Sequence, residues 1–165
     1  MSQNTLIGKA AVLEGLAGHP AVRAILAWDT FALADAKFDR GELTLTIAAD
    51  KIRAAAATVQ AAGYNFFEDV TAVDWFPSSP RFQLSYHIVS HTYKERIRLR
   101  VLVAGDAPSV ETITSVWPAA NFYEREVFDL FGIRFEGHPD LRRIMMPDEW
   151  QGHPLRKDYP VEGYR

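Results

Sequence analysis

The sequence predicts an α+β fold: a two-layer domain running helix, two strands, helix, three strands. Its sheet is mainly antiparallel (mixed), and a further helix and an extended C-terminal arm follow. Three observations predict it. Phe82, Leu84, Tyr86 and Ile88 alternate with Gln83, Ser85 and His87, and Ile97, Leu99, Val101 and Val103 alternate with Arg96, Arg98 and Arg100. Successive side chains on a strand point to opposite faces, so these strands carry one oily face and one polar or basic face. Ile52, Ala55, Ala56 and Val59 recur instead at i, i+3, i+4 and i+7, the helical period. From Ile133 onward neither period is sustained, and Pro139, Pro147, Pro154 and Pro160 break the chain. A sheet with one oily face needs helices on that side only, which gives two layers.

Taken in order, the first element is a helix over residues 6–16, with Leu6, Leu13 and Leu16 apolar, weakened by Gly8, Gly15 and Gly18. Pro20 starts a second short helix carrying Val22, Ile25 and Leu26. Strands are expected at residues 31–33 and 42–47, with Asp39, Arg40 and Gly41 as the hairpin turn. Asp50 is expected to cap the helix that contains Ile52 to Val59, and Gly63 to stop it. Strands follow at about residues 65–75, 82–88 and 97–103, the first two joined by the turn Pro77-Ser-Ser-Pro80. A short helix over residues 109–116 is expected with Ser109 as its cap. After Pro118 comes a helix from near Phe122 to a stop at Gly132. The expected organisation is a body over residues 1–132 and a partner-binding arm of the same domain over residues 133–165.

Composition narrows the function classes. A chain of 165 residues is one ordinary domain that needs no disulfide. It has no cysteine, which removes cysteine-ligated iron–sulfur clusters and cysteine-type zinc sites. With 18 basic against 21 acidic residues there is no basic excess to attract nucleic acid. No apolar run reaches the length of a membrane span, so contact with a membrane is expected only through a partner. The opening residues are too polar for a secretory signal, and the expected location is cytoplasmic. Glycine-rich phosphate loops, nucleophile elbows and cysteine nucleophiles are absent. The residues themselves suggest binding or scaffolding, with no cofactor in this chain.

The candidate site lies in residues 121–160. On a helical wheel Tyr123, Val127, Leu130 and Phe131 form an apolar arc, while Arg125, Glu126 and Asp129 lie opposite. Glu124 falls on the oily side, where a carboxylate needs a bonded partner. Two compatible partners are expected: the cap amide of an Asn121-capped helix, or Arg142 or Arg143 of the arm. Glu124 and Glu126 are two apart and cannot face each other as an acid/base pair. Arg125 and Asp129 are four apart and are expected to pair weakly on the surface.

Beyond Gly132 the phrase Gly137-His138-Pro139-Asp140-Leu141-Arg142 is echoed by Gly152-His153-Pro154-Leu155-Arg156. A histidine before proline is pushed to extended geometry, so each phrase reads as a rigid corner with its imidazole on nearby backbone. His138, Asp140, His153 and Asp158 are metal-capable types, and metal binding is the less favoured reading of them. Residues 133–165 hold six basic and six acidic residues, a balance suited to a protein interface. Arg142, Arg143, Arg156 and Lys157 supply cations, and Trp150, Tyr159 and Tyr164 supply aromatic anchors.

These motifs resemble a known family. Glu124-Arg125-Glu126, Asp129-Leu130-Phe131, His138, Arg142, Ile144 and Met145 fall at the spacing of the signature of the C subunit of NADH-quinone oxidoreductase, the 30 kDa subunit of respiratory complex I. Residues 152–160, GHPLRKDYP, form a second marker. A looser match reaches Asp69, Thr71, Ala72, Val73, Asp74 and Trp75. The resemblance implies a non-catalytic structural component of the hydrophilic arm of the proton-translocating enzyme. It would dock chiefly on the large D subunit, which forms much of the quinone site, and on neighbouring iron–sulfur subunits, and so support the quinone site. FMN, iron–sulfur clusters and quinone would belong to those partners. The implied location is peripheral, on the cytoplasmic face of the bacterial inner membrane. The implied interface and signature residues are Glu124, Arg125, Glu126, Asp129, Gly132, His138, Asp140, Arg142, Arg143, His153, Arg156, Lys157, Asp158 and Tyr159. Three alternatives stay open: the equivalent component of a membrane-bound hydrogenase or ferredoxin- or F420-linked reductase, a metal-dependent hydrolase using His138, Asp140 and His153, and a self-associating protein using the Arg96, Arg98 and Arg100 face.

Overall fold

The computed structural model describes residues 15–162, so most of the helix expected at residues 6–16, and Tyr164, lie outside the described residues. Helix α1 (Pro20–Trp28) has proline at its first position and the His19 imidazole as its cap, accepting from the Ala21 amide at 3.3 Å. Strands β1 (Leu33–Asp39) and β2 (Glu42–Ile47) form an antiparallel hairpin through Arg40 and Gly41, at φ 52° and 83°. The first strand therefore starts at the residue where the expected strand over 31–33 ends. The Asp29 carboxylate takes the Phe31 amide at 2.8 Å and turns the chain, leaving Phe31 exposed.

Helix α2 (Ile52–Ala61) buries Ile52, Ala55, Ala56 and Val59, as the spacing predicts. Asp50 does not cap it. A 3₁₀ turn over Ala49–Lys51 leads in, and the cap position makes no side-chain bond. Strands β3 (Phe66–Asp74), β4 (Phe82–Ser90) and β5 (Glu95–Val103) complete a sheet ordered β1-β2-β5-β4-β3. Only β2 and β5 run parallel; the other neighbours are antiparallel.

Leu43, Leu45, Leu84, Tyr86, Ile97 and Leu99 point to the same side and join Val22, Ile25, Ala55 and Val59 in one core. On the opposite face the arginines are held by their neighbours. Arg98 bonds Glu42 at 2.5 Å and Thr44 at 3.3 Å, and Arg100 bonds Thr46 at 2.6 Å and Asp35 at 3.3 Å.

The helix expected at residues 109–116 is instead strand β6 (Ser109–Glu111), paired in parallel with β7 (Arg134–Glu136). The partner lies more than twenty residues away, so local pattern misses it. The Ser109 hydroxyl donates to Glu136 at 2.7 Å and the Thr112 amide to the Glu136 carbonyl at 2.9 Å. Between these strands, α3 (Ala120–Phe131) packs on β3, with Tyr123 edge-on to Phe67 at 5.8 Å. It begins before Asn121, with Ala119 at the cap, so the expected Asn121 cap is absent. Gly132 ends it in the left-handed region, φ 71°.

Candidate functional site

Helix α3 is the spine of the site, and its polar side is covered at Arg125 and Asp129 but open at Glu126. The arm returns over it, so Arg125 and Asp129 are buried. The surface pair expected between them does not form; both turn to the arm backbone instead. The Arg125 guanidinium donates to the carbonyls of Arg142 at 3.1 Å and Arg143 at 2.9 Å. One Asp129 carboxylate oxygen accepts the amides of Ile144, Met145 and Met146 at 3.0, 2.8 and 2.8 Å, and the other accepts Arg143 at 2.5 Å. Burial pushes the Asp129 carboxyl upward, but the three amides and Arg143 outweigh it and leave it below the usual range. Arg143 continues to the carbonyls of Trp150 at 2.9 Å and Gly152 at 3.0 Å.

A helix leaves its last four carbonyls unmet. Here Gly132 takes the Phe128 carbonyl, and the arm takes the other three. His153 Nδ1 lies 2.8 Å from the Asp129 carbonyl, the Leu155 amide donates to Leu130 at 3.0 Å, and Arg156 donates to Phe131 at 2.6 Å. Cations at this end also suit the helix dipole. A carbonyl only accepts, so His153 Nδ1 carries a proton. Its desolvation holds the imidazole below its usual pKa, although that carbonyl contact favours the charged form.

The repeated phrase is thereby explained. His138 Nε2 lies 3.2 Å from the Asn121 carbonyl in the first turn of α3, while His153 serves the last turn. Two glycine-led corners, with Gly137 at φ 79° and Gly152 at φ 77°, thus grip the helix at both ends. The same geometry opposes the metal reading of His138, Asp140 and His153, since the imidazoles occupy opposite ends of α3. Among the described residues no cluster of three metal-ligating side chains occurs.

A second anchor ties the arm to the sheet. Arg81 grips the Asp74 carboxylate with two bonds, 2.9 and 2.7 Å, and Asp158 with two more, 3.0 and 2.6 Å. The Lys157 amide also donates to Asp74, at 2.9 Å. Burial pushes Asp74 up, but Arg81 and the amides of Lys157 and Phe76 outweigh it, and the carboxyl falls to about 2. The Arg81 guanidinium lies 4.9 Å from both the Phe76 and Phe82 ring centres.

Arg81 and Thr112 escape a reading of the sequence. Arg81 sits alone between a proline turn and an apolar strand, and Thr112 lies in the stretch expected to be helical. Glu124 takes neither expected partner. It accepts the Ile113 amide at 2.8 Å and bonds Thr112 at 2.5 Å. Of the remaining signature residues, Glu126 is exposed, Asp140 pairs with Arg142 on the surface at 2.8 Å, and the Tyr159 hydroxyl reaches the Gln151 carbonyl at 3.3 Å.

The family described as respiratory-chain NADH dehydrogenase, 30 Kd subunit, matches residues 45–165. The chain belongs to that family. It is 45% identical over 137 residues to the NADH-quinone oxidoreductase C subunit of Geobacter sulfurreducens, covering 80% of this chain and 83% of that one. It is 52% identical over 98 residues to the corresponding protein of a Roseiflexus species, covering 59% and 56%. Among solved structures, a trypsin-resistant fragment (1-134) of Nqo5 superposes with TM-score 0.65 at 32% identity, covering 74% of this chain and 99% of that one. A chain of a membrane-bound sulfane sulfur reductase, an archaeal respiratory membrane complex, superposes with TM-score 0.76 at 28% identity, covering 87% and 86%. The 30 kDa family places this protein as a structural component in the hydrophilic arm of a respiratory oxidoreductase complex, so its enzyme class is that of the complex. No described helix is long and apolar enough to cross a membrane.

Proposed function

We propose that this protein works by shape: the body docks on the complex, and residues 121–160 present a preorganised face to its neighbours, chiefly the D subunit and the iron–sulfur subunits. Residues 133–165 form the partner-binding part of the same domain. The observation that carries this is a mismatch within the arm. Its backbone is pinned, yet Ile144, Met145, Trp150 and Leu155 remain exposed, as do Phe122 and Tyr123 of α3. Apolar side chains held rigid at the surface suit a contact that buries them. Glu126, Arg142 and Asp140 supply a polar rim. FMN, iron–sulfur clusters and quinone belong to the partners in this reading, and the chain reaches the cytoplasmic face of the membrane only through them.

The test introduces charge without touching the pins. Met145→Glu with Leu155→Glu is expected to leave the isolated chain folded, with an unchanged circular dichroism spectrum. The D subunit and quinone reductase activity should then fail to co-purify from solubilised membranes. Normal recovery of both would overturn the docking role. The likeness to the archaeal membrane complex supports one second reading, the same scaffold in a related machine with a different electron donor. Identifying the co-purifying redox subunits separates the two.

A further inference from the structure

Among the described residues, Glu124 is the one buried carboxylate that meets no arginine or lysine. Its side chain and that of His138 are both fully excluded from water, 3.8 Å apart. That separation makes no ion pair, because the imidazole is held neutral by its two bonds. Its Nε2 must donate to the Asn121 carbonyl, and its Nδ1 must accept the Asp140 amide at 3.0 Å. A second ring proton would break the latter. Desolvation first, and then nearby Arg125, also hold His138 below its usual pKa, against the pull of the Asn121 carbonyl and Asp140. From β4 the only ionisable neighbour is Tyr86, buried, with a hydroxyl that finds no partner among the described residues. Burial pushes Glu124 itself up to about 7, although Thr112 and the Ile113 amide pull it down.

The remaining contacts form a route to water. Thr112 Oγ1 lies 2.5 Å from Glu124 and 2.9 Å from Thr114 Oγ1, and Thr114 is half-buried. Both hydroxyls can turn. With Glu124 protonated, the carboxyl donates to Thr112 and Thr112 to Thr114. With Glu124 ionised, Thr114 donates to Thr112 and Thr112 to the carboxylate. Passing from the first state to the second moves one proton from Glu124 to Thr112, one from Thr112 to Thr114 and one from Thr114 to water.

We propose that Glu124 is a proton-binding site sealed by the arm: its carboxyl is neutral while the His138 corner is seated, and it releases its proton through Thr112 and Thr114 when the corner lifts. Lifting the corner admits water to the carboxyl and removes the desolvation that favours the neutral form. Seating the arm and taking up a proton are therefore linked, each favouring the other.

Carboxyl carbon NMR on the full-length chain, labelled at glutamate, tests this. One glutamate signal is expected to titrate with a midpoint near 7 and to vanish in Glu124→Gln. In His138→Ala, which opens the corner, the midpoint should move toward the ordinary glutamate value of 4.5. Should either variant fail to fold, Thr112→Val serves, because losing a donor to the carboxylate must raise the midpoint. The thermal midpoint gives an independent reading. A carboxyl raised on folding contributes stability that is complete below 4.5 and is lost as pH rises to about 7. The wild type should therefore weaken relative to Glu124→Gln over that range and hold constant above it. The proposal fails if no glutamate titrates above about pH 6, well clear of the ordinary value of 4.5. It fails equally if the high signal survives Glu124→Gln, or keeps its midpoint in His138→Ala or Thr112→Val.

Discussion

In the sheet, Leu84, Tyr86, Ile97 and Leu99 are wholly excluded from water and merge into one core, whereas in the arm Met145, Trp150 and Leu155 stay exposed. The arm is nevertheless fixed at many points, by carboxylates and guanidinium groups that hold its backbone. Apolar burial has no direction and tolerates small shifts. A carboxylate that accepts three consecutive amides specifies one position of the chain. The body is thus stabilised by area and the arm positioned by geometry, which leaves Met145, Trp150 and Leu155 free for another surface.

Asp129→Ala breaks this contrast most sharply. It leaves three amides without their acceptor and the half-buried Arg143 guanidinium with carbonyl partners alone, and breaking such an ion pair costs about 3–5 kcal/mol. Amide exchange at Ile144, Met145 and Met146 is expected to accelerate by orders of magnitude while the amides of β4 and β5 keep their protection. Leu84→Ala is the counterpart, expected to cost about 2–5 kcal/mol and to speed exchange throughout the sheet. If Asp129→Ala loosened the sheet as much as the arm, the two regions would be one cooperative unit and the contrast would fall.

Acid sharpens the comparison. Asp74 ionises at about 2 in the folded chain against 3.8 ordinarily, and Asp129 also lies below its usual value. Groups depressed on folding contribute stability that is present above the unfolded value and is lost as pH falls through the folded one. The arm should therefore release between about pH 4 and 2 while apolar burial in the sheet, which carries no charge, persists. Shifts of the Ile144, Met145 and Met146 amide NMR signals, which report their bonds to Asp129, should precede loss of sheet circular dichroism on acid titration.

The same distinction explains what is legible in the sequence. Strands β4 and β5 are written in period-2 alternation, and Gly63 and Gly132 mark helix ends, because those features are local. The pairing of β6 with β7 is hidden, since its partner comes after an entire helix. The helical wheel places Arg125 and Asp129 correctly on the polar side of α3 but equates polar with solvent-facing. It cannot show that the covering surface is backbone, whose carbonyls and amides leave no trace in residue identity. Glu124 is legible as an anomaly, while Thr112, its partner, is not. The twin Gly-His-Pro corners read correctly as resting on backbone, and only the fold shows that both rest on one helix.

Gly132→Ala is a smaller perturbation, aimed at the joint between the regions. The left-handed conformation costs a residue with a Cβ about 1–2 kcal/mol. The added carbon would also lie 2.5 Å from His153 Cδ2 and 2.8 Å from Arg156 Nη2, so the second corner must move. The expected result is a modest loss of global stability with selective loss of protection around Leu155.

Arg96→Ala on the open sheet face should do least. Arg96 bonds Glu42 at 2.8 Å, but its side chain is 49% exposed, and exposed pairs contribute about 0.2–1 kcal/mol. Chemical denaturation should show a change within that range, shrinking further as salt is added. This small effect is informative because Arg96 and Arg81 make similar bonds in different surroundings. Arg81 is nearly buried between two rings and two carboxylates, so its loss would strand Asp74 without a cation. The same side chain positions the arm in one place and decorates a wetted surface in the other, and the difference lies in whether water is excluded around it.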